Sequence, residues 1–206
     1  MNMQGRSYRS SGRKLLDLAS AQAGFFTAKQ AAKLGYAAPK RTYHVKVGNW
    51  VRERRGIYRL AGYPLPDRPD LVLWWLWSRN RQDQPQGVFS HQTALSLHEL
   101  TDLMPSRLHM TVPRHFRRSA TRPKAVVLHF AEMPRKDVEQ AEGVLVTNAL
   151  RTLLDLAISR HVMIADLRAA FAAASKSGKI TRAQISAAGK SVEWRDALRA
   201  LRGRKT

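Results

Sequence analysis

The chain has 206 residues, of which 36 are Lys or Arg and 15 are Asp or Glu, so its formal net charge is +21. A field of this sign attracts polyanions, and nucleic acid is the commonest polyanion in a cell. Other classes fit poorly, because the chain has no cysteine for disulfides or thiolate chemistry, and its longest apolar run, Leu71 to Trp77, is far below the ~18 residues of a membrane span. The early residues also lack a signal-peptide core, so we expect a cytoplasmic protein with no membrane partner.

The positive charge is concentrated in the first third of the chain. Residues 1–65 hold 13 basic and 2 acidic residues, whereas the other 141 residues hold 23 and 13. Three prolines and a glycine in residues 61–69 interrupt any regular element there. The sequence therefore predicts two domains, 1–65 and 66–206.

The first domain is predicted to contain three helices and a hairpin. After a helix over about 12–22, Thr27 and Gln30 form a capping box for a helix that stops at Gly35. A third helix begins at Pro39 and ends near Gly48, followed by β-forming residues 50–52 and 57–60 around a four-residue turn. This order is typical of a winged helix-turn-helix.

The second domain is predicted to mix helices and strands. Helices are expected over 70–81, 93–100, 163–175 and 182–188, and strands over 108–112, 125–130 and 143–146. Thr147 and Ser90 are expected to cap helices, and Thr181 with Gln184 forms a second capping box. A last helix has Trp194 and two leucines on one stripe and three arginines on the next. The predicted fold class is α+β, with a winged helix-turn-helix followed by a larger mixed α/β domain.

The third helix is the candidate recognition helix. Arg41 and Thr42 are predicted to contact base edges in the major groove, because such contacts need side-chain donors and acceptors. The other polar residues are predicted to lie nearer to phosphates: Lys40, His44 and Lys46. Tyr43 and Val47 share one side of this helix and Val45 lies almost opposite, so an apolar residue must face outward.

The hairpin is a second candidate DNA contact. Its four arginines repel one another unless a polyanion offsets their charge, and Glu53 is the only acid among them. They are predicted to reach phosphates or the minor groove: Arg52, Arg54, Arg55 and Arg59.

Several segments together resemble the AbiEi antitoxins. They are residues 24–31, 48–51, 55–60, 88–95, 108–113, 146–147 and 151–157. The resemblance implies a repressor of its own operon in a type IV toxin–antitoxin system. It also implies a functional opponent, a nucleotidyltransferase-like toxin, which the antitoxin need not touch. A winged helix would bind promoter repeats, and the C-terminal part would carry the antitoxic activity. The chain departs from the expected pattern at Ala37-Ala38, where a Ser-type cap would begin the third helix.

A basic stretch in the second domain has two open interpretations. No acid lies between Asp102 and Glu132. The stretch is either a second contact surface, for DNA or for an acidic partner, or a solvated loop between strands. The residues concerned are Arg114, Arg117, Arg118 and Arg122, with further cations around them.

Catalytic patterns are weak, so neither an enzyme nor a cofactor is predicted. The seven histidines show no His-x-x-x-His spacing for zinc, and Ser90 and His91 are adjacent, a poor arrangement for a nucleophile and its base. A metal nuclease built from Asp67 or Asp70 with Glu132 and Lys136 requires loose spacing. The main alternative is a general RNA- or ribosome-binding protein, which would usually expose aromatic residues on a sheet or a glycine-rich clamp. The aromatic residues of the first domain are instead expected in the core of the winged helix: Tyr43, Trp50 and Tyr58.

Overall fold

A computed structural model describes residues 3–102, 104–118 and 123–203, with side chains from residue 10 onward. The chain forms two compact units. The first comprises residues 1–86 with 142–144, and the second comprises 87–141 with 145–206. The division therefore falls after residue 86, whereas the sequence placed it after residue 65.

The first unit contains a helix-turn-helix and a three-stranded antiparallel sheet in the order β1-β3-β2. Its elements are α1 (Met3–Ser20), β1 (Phe25–Thr27), α2 (Ala28–Lys33), α3 (Ala38–Lys46), β2 (Trp50–Arg54), β3 (Ile57–Leu60) and α4 (Pro69–Trp77). The predicted winged helix-turn-helix is thus present. Strand β1 was not predicted, because three residues are too few for an alternating pattern.

The core of this unit joins α1 to the helix-turn-helix and the hairpin. It comprises Leu15, Ala19, Phe26, Ala31, Tyr36 and Trp50. The Phe26 and Trp50 rings meet edge to face with their centroids 4.8 Å apart, an arrangement that favours aromatic pairs. Gly24 lies at φ +86°, where a Cβ would stand 2.6 Å from Cδ1 of Tyr63, so only glycine fits between α1 and β1.

Helix α4 explains why the division differs from the prediction. It is apolar on most sides, with Leu71, Trp74 and Leu76 all buried, and it packs on β1 and β3. Prolines at 64, 66 and 69 interrupt the backbone, but they do not prevent the following helix from covering the sheet. A proline-rich break therefore marks the end of the hairpin here and not the end of the unit.

The second unit contains a five-stranded mixed sheet and a group of helices. The strands are β4 (Val88–Phe89), β5 (Leu108–Val112), β6 (Val126–Phe130), β7 (Val138–Ala141) and β8 (Val144–Thr147), in the order β6-β5-β4-β8-β7. The helices are α5 (His91–Leu97), α6 (Ala149–Ser159), α7 (Ile164–Lys176), α8 (Arg182–Lys190) and α9 (Val192–Leu201). Strands β5 and β6 are parallel, so the basic stretch between them is a crossover connection and not a hairpin turn.

The helices of this unit share one apolar core. Its largest buried members are Leu95, Leu150, Leu153, Leu154, Leu156, Leu167, Phe171, Ile180, Leu198 and Leu201. The two stripes predicted on α9 are confirmed, since Leu198 and Leu201 are buried whereas Arg195, Arg199 and Arg202 are exposed.

One of the predicted helix caps is wrong, and a second lies at the predicted position without the capping hydrogen bond. The cap of α6 is Asn148 and not Thr147, because Asn148 Oδ1 accepts from the Arg151 amide N–H at 2.9 Å. Thr147 is buried, and its hydroxyl lies 2.7 Å from that of Thr152. Ser90 does occupy the cap position of α5, but its side chain makes no capping hydrogen bond. By contrast, both predicted capping boxes are present.

Among the described residues, no helix combines the length and the apolar character that crossing a bilayer requires.

Candidate nucleic-acid interface

The helix-turn-helix is held together by local hydrogen bonds. Gln30 N donates to Thr27 Oγ1 at 3.1 Å, and Thr27 N donates to Gln30 Oε1 at 2.7 Å. Gly35 has a positive φ and ends α2, as its position in the sequence predicted. Helix α3 starts at Ala38 without a side-chain cap, which agrees with the absence of a Ser-type residue there.

One side of α3 faces the core of the unit. Val45 packs against the aromatic core. The His44 ring stacks on Trp50 with their centroids 4.7 Å apart, and its Nδ1 lies 3.2 Å from Nδ2 of Asn49. Burial, and secondarily the charge of Lys40, lowers the pKa of His44. A neutral, stacked imidazole is a poor partner for a phosphate, so the geometry favours a packing role for His44.

Arg41 is tied to the turn that precedes α3. Its Nη1 donates to the carbonyl oxygen of Tyr36 at 2.8 Å, and the side chain is half-buried. Thr42 remains exposed, although its hydroxyl donates to the Ala38 carbonyl at 3.2 Å. Arg41, which the sequence analysis predicted to contact a base edge, therefore forms an internal hydrogen bond. Its role in DNA recognition stays a prediction.

The other side of α3 is exposed and forms what we call the outward face. It consists of Lys40, Thr42, Tyr43, Lys46 and Val47. The sequence required one apolar residue to point outward, and two do so, since Tyr43 is 59% and Val47 46% exposed. Sequence reasoning had assigned Tyr43 to the core of the domain, and that assignment is wrong because Tyr36 from the turn supplies the buried ring instead.

The hairpin β2–β3 is the wing. Arg52, Arg54 and Arg55 are exposed, whereas Arg59 is half-buried and bonded to Glu53 at 2.8 Å and to the Leu60 carbonyl at 3.2 Å. The guanidinium of Arg54 also lies over a tryptophan ring of α4. Arg52 and Arg55 are exposed and form no hydrogen bond, ion pair or ring contact with other described residues, so these two wing arginines are best placed to meet a phosphate backbone.

The basic crossover connection between β5 and β6 has one buried aromatic side chain. Phe116 is buried, while Arg114, Arg117 and Arg118 beside it are exposed. Arg117 Nη1 donates to the Phe116 carbonyl at 3.1 Å. Arg122, predicted with this group, lies outside the described residues.

Three histidines meet in the second unit, which the sequence did not predict. The rings of His91 and His129 stack with their centroids 3.6 Å apart, and His109 Nδ1 lies 3.0 Å from His129 Nε2. Ser90 Oγ accepts from the Thr111 hydroxyl at 2.8 Å and lies 3.0 Å from His91 Nδ1. The adjacent Ser90 and His91 therefore do touch, but Ser90 is fully buried, so this pair is enclosed by protein.

Burial keeps these imidazoles neutral. It lowers the pKa of His91 to about 3 and that of His109 to about 4, and the neighbouring histidines add to both effects. The pKa of His129 is lowered for the same reasons. The cluster has no geometry for a cation, since no group of His, Asp or Glu among the described residues could hold a metal ion. One feature of the sequence could have indicated this cluster, which is that His109 and His129 both lie within strand-like segments.

The first unit as a whole defines a class of protein module. A helix-turn-helix followed by a two-stranded wing, with exposed cations on α3 and on the wing, is a winged helix-turn-helix. Residues 13–61 match the family model described as "Transcriptional regulator, AbiEi antitoxin". The match agrees with the resemblance inferred from the sequence, and it covers residues 13–61. No curated protein shows a significant match to the chain.

Proposed function

We propose that this protein is a DNA-binding autorepressor and the antitoxin of a type IV toxin–antitoxin system. The observation that carries the proposal is the outward face of α3 together with the exposed arginines of the wing. In a winged helix-turn-helix these two surfaces meet a duplex, the helix in the major groove and the wing on the adjacent backbone. The cellular setting would be the cytoplasm, where the promoter is located.

The antitoxin part of the proposal rests on the family match. A regulator that controls its own operon would bind repeats in the promoter upstream of its gene. The opposing protein would be a nucleotidyltransferase-like toxin encoded in the neighbouring reading frame, acting with or without direct contact. The protein itself would act by binding, without a cofactor.

The exposed cations would suit either nucleic acid, and the buried aromatic residues of the sheet support DNA over a general RNA partner. The wing and α3 contribute five exposed cations, which are Lys40, Lys46, Arg52, Arg54 and Arg55. The aromatic residues of the sheet are turned inward, because Phe26 and Trp50 are buried. An RNA-binding sheet would instead present aromatic rings to unstacked bases.

A binding assay tests this function. Full-length protein is titrated against labelled duplex from its own upstream region, an unrelated duplex and a structured RNA, each at several salt concentrations. We expect preference for the upstream duplex and a log–log salt slope of roughly −0.9 for each phosphate neutralised. Equal affinity for all three would contradict a promoter-specific regulator, and preference for the RNA would favour the alternative partner.

A further inference from the structure

The outward face of α3 has an unusual composition for a surface in a strongly basic module. At its centre are Tyr43 and Val47, which are four residues apart and therefore lie on the same side of the helix. Neither residue belongs to the hydrophobic core of the unit. Lys40 and Lys46 flank them and are also exposed. The surface is thus an apolar centre between two cations.

The long polar side chains of α3 do not occupy that centre. Arg41 is bonded to the Tyr36 carbonyl, and His44 is stacked on Trp50. Thr42 is also near the apolar pair, but its hydroxyl is already donated to the Ala38 carbonyl. The other donors on this face are the ammonium groups of Lys40 and Lys46, which lie to either side of the apolar pair.

Only one base presents an apolar group in the major groove. Thymine carries a C5-methyl group there, whereas the other base edges offer hydrogen-bond donors and acceptors. We propose that Tyr43 and Val47 recognise thymine methyl groups, so that the operator is specified in part by thymines and not mainly by arginine–guanine contacts. This inference rests on the proposed DNA-binding function.

The spacing of the pair limits where the thymines lie. Side chains four residues apart on a helix have Cβ atoms about 5–6 Å apart, and successive base pairs rise by about 3.4 Å. Two contacts along the groove would therefore fall about two base-pair steps apart. Lys40 and Lys46, on either side of the apolar pair, are placed to meet the phosphates that border the groove.

The test removes only the methyl groups. Duplexes bound by the full-length protein are first selected from a random-sequence pool. Each thymine of the selected site is then replaced by deoxyuridine, which pairs identically but lacks the C5-methyl group. Burial of one carbon contributes about 0.8 kcal/mol, so we expect about fourfold weaker binding at one or two thymine positions.

Variants connect that loss to the two side chains. Tyr43→Ala and Val47→Ala should each bind the thymine and deoxyuridine forms equally at one position, while Tyr43→Phe should keep the discrimination. Leu16→Ala is the matched control, because Leu16 is similarly exposed on α1 of the same unit, and it should behave like the unaltered protein. Thermal melting checks that each variant folds.

The outcomes separate this inference from the proposed function. If the unaltered protein binds both forms equally, or if Tyr43→Ala and Val47→Ala each still discriminate at every thymine position where the unaltered protein does, thymine recognition by this face is overturned while duplex binding stands. If Tyr43→Ala changes neither affinity nor selected sequence, the face serves another partner and the inference is also overturned. Failure to bind any duplex would remove the proposed function and this inference together.

Discussion

The guanidinium of Arg54 lies 4.1 Å from the ring centroid of Trp74, so a wing residue is stacked on helix α4. Trp74 is almost fully buried, and cation–π contacts with a partly desolvated ring contribute about 0.5–2 kcal/mol. The contact connects the wing to a helix that the sequence had assigned to the other domain. Arg54 and Arg55 are both exposed, but Arg54 has this contact with the Trp74 ring. Among the described residues, Arg55 has no such contact.

The two arginines should therefore behave differently on substitution. Arg55→Ala is expected to weaken binding to all duplexes and to flatten the salt slope by about one unit, without changing stability. Arg54→Ala should in addition lower the free energy of unfolding by about 1 kcal/mol. Urea unfolding and gel shifts at several salt concentrations measure both effects. Equal stability of the two variants would show that the stack on Trp74 contributes nothing.

A second prediction concerns Arg41. Since its guanidinium is bonded to the Tyr36 carbonyl in the turn of the helix-turn-helix, Arg41→Ala should lower the free energy of unfolding by about 1 kcal/mol. The base preference at each position of the site should stay unchanged. Selection from a random duplex pool, with urea unfolding on the same protein, gives both readouts. Relaxed preference at one base pair with unaltered stability would instead restore the base-contact role suggested by the sequence.

The helix-turn-helix could be predicted because its signals are local. The capping box of Thr27 and Gln30 spans three residues, and the stop at Gly35 follows from the backbone freedom of glycine. The orientation of α3 could not be predicted, since it depends on which ring fills the core. Tyr36 and Tyr43 are equally suitable by composition, and only the packing around Trp50 makes Tyr36 the buried one.

The histidine cluster could not be predicted for a different reason. Its members are 18 and 20 residues apart, and they meet in a fold where β5 and β6 pair in parallel with Thr111 opposite His129. The same two segments would also suit an antiparallel hairpin, so neither the pairing nor the position of His91 beside it follows from the sequence. Long-range pairing of this kind leaves no local pattern in the sequence.

The cluster predicts a loss of stability in acid. In the unfolded chain these histidines bind protons near pH 6.5, whereas in the folded state the pKa of His91 is about 3 and that of His109 about 4. Between these values the unfolded chain holds more protons, so stability is retained above pH 6.5 and falls as the pH drops toward 4. Each group contributes a slope of up to about 1.4 kcal/mol per pH unit.

His91→Asn tests this origin of the acid sensitivity. His91 has φ +53°, a conformation that asparagine accepts, and the variant cannot be protonated in this range. Urea unfolding at pH 7 and pH 4.5 should show a smaller loss of stability for the variant than for the unaltered protein. His115→Asn, at an exposed position, should leave the loss unchanged. An identical pH dependence in His91→Asn would mean that other groups cause it.

A fourth prediction concerns the buried ion pairs of Arg151. This residue bonds Asp137 at 3.0 Å and Asp155 at 2.9 Å, and its guanidinium lies 5.0 Å from the ring centroid of Trp194. Arg151→Met leaves the buried carboxylate of Asp137 and the partly buried carboxylate of Asp155 without their cation, which should cost about 3–5 kcal/mol. Unfolding followed by CD should show this loss, whereas Arg195→Met at an exposed position should not. If Arg151→Met lowered the free energy of unfolding by less than about 1 kcal/mol, these ion pairs would contribute no more to stability than surface ion pairs do.

The last prediction concerns the division of labour between the two units. Arg41 and Arg54 are poor probes of it, because each also has an internal contact, with the Tyr36 carbonyl and the Trp74 ring respectively. Lys40, Lys46 and Arg55 are exposed, so alanine at all three should abolish promoter binding without unfolding the protein. If the antitoxic activity belongs to the second unit, this variant should still rescue growth when toxin and antitoxin are expressed from separate inducible promoters. Loss of rescue at unchanged protein level would show that antitoxicity requires DNA binding.

Charge reversal in the crossover connection tests the other half of that division. Arg114, Arg117 and Arg118 are exposed around the buried Phe116, so substitution by Glu reverses the local field while the anchor remains. If this connection docks an acidic partner or competes for the toxin's substrate, the variant should bind the promoter normally and rescue poorly. The exposed arginines of α9, at positions 195, 199 and 202, provide a matched reversal of equal charge. Because a merely solvated connection predicts full rescue in both variants, impaired rescue in the first alone would assign a function to this surface.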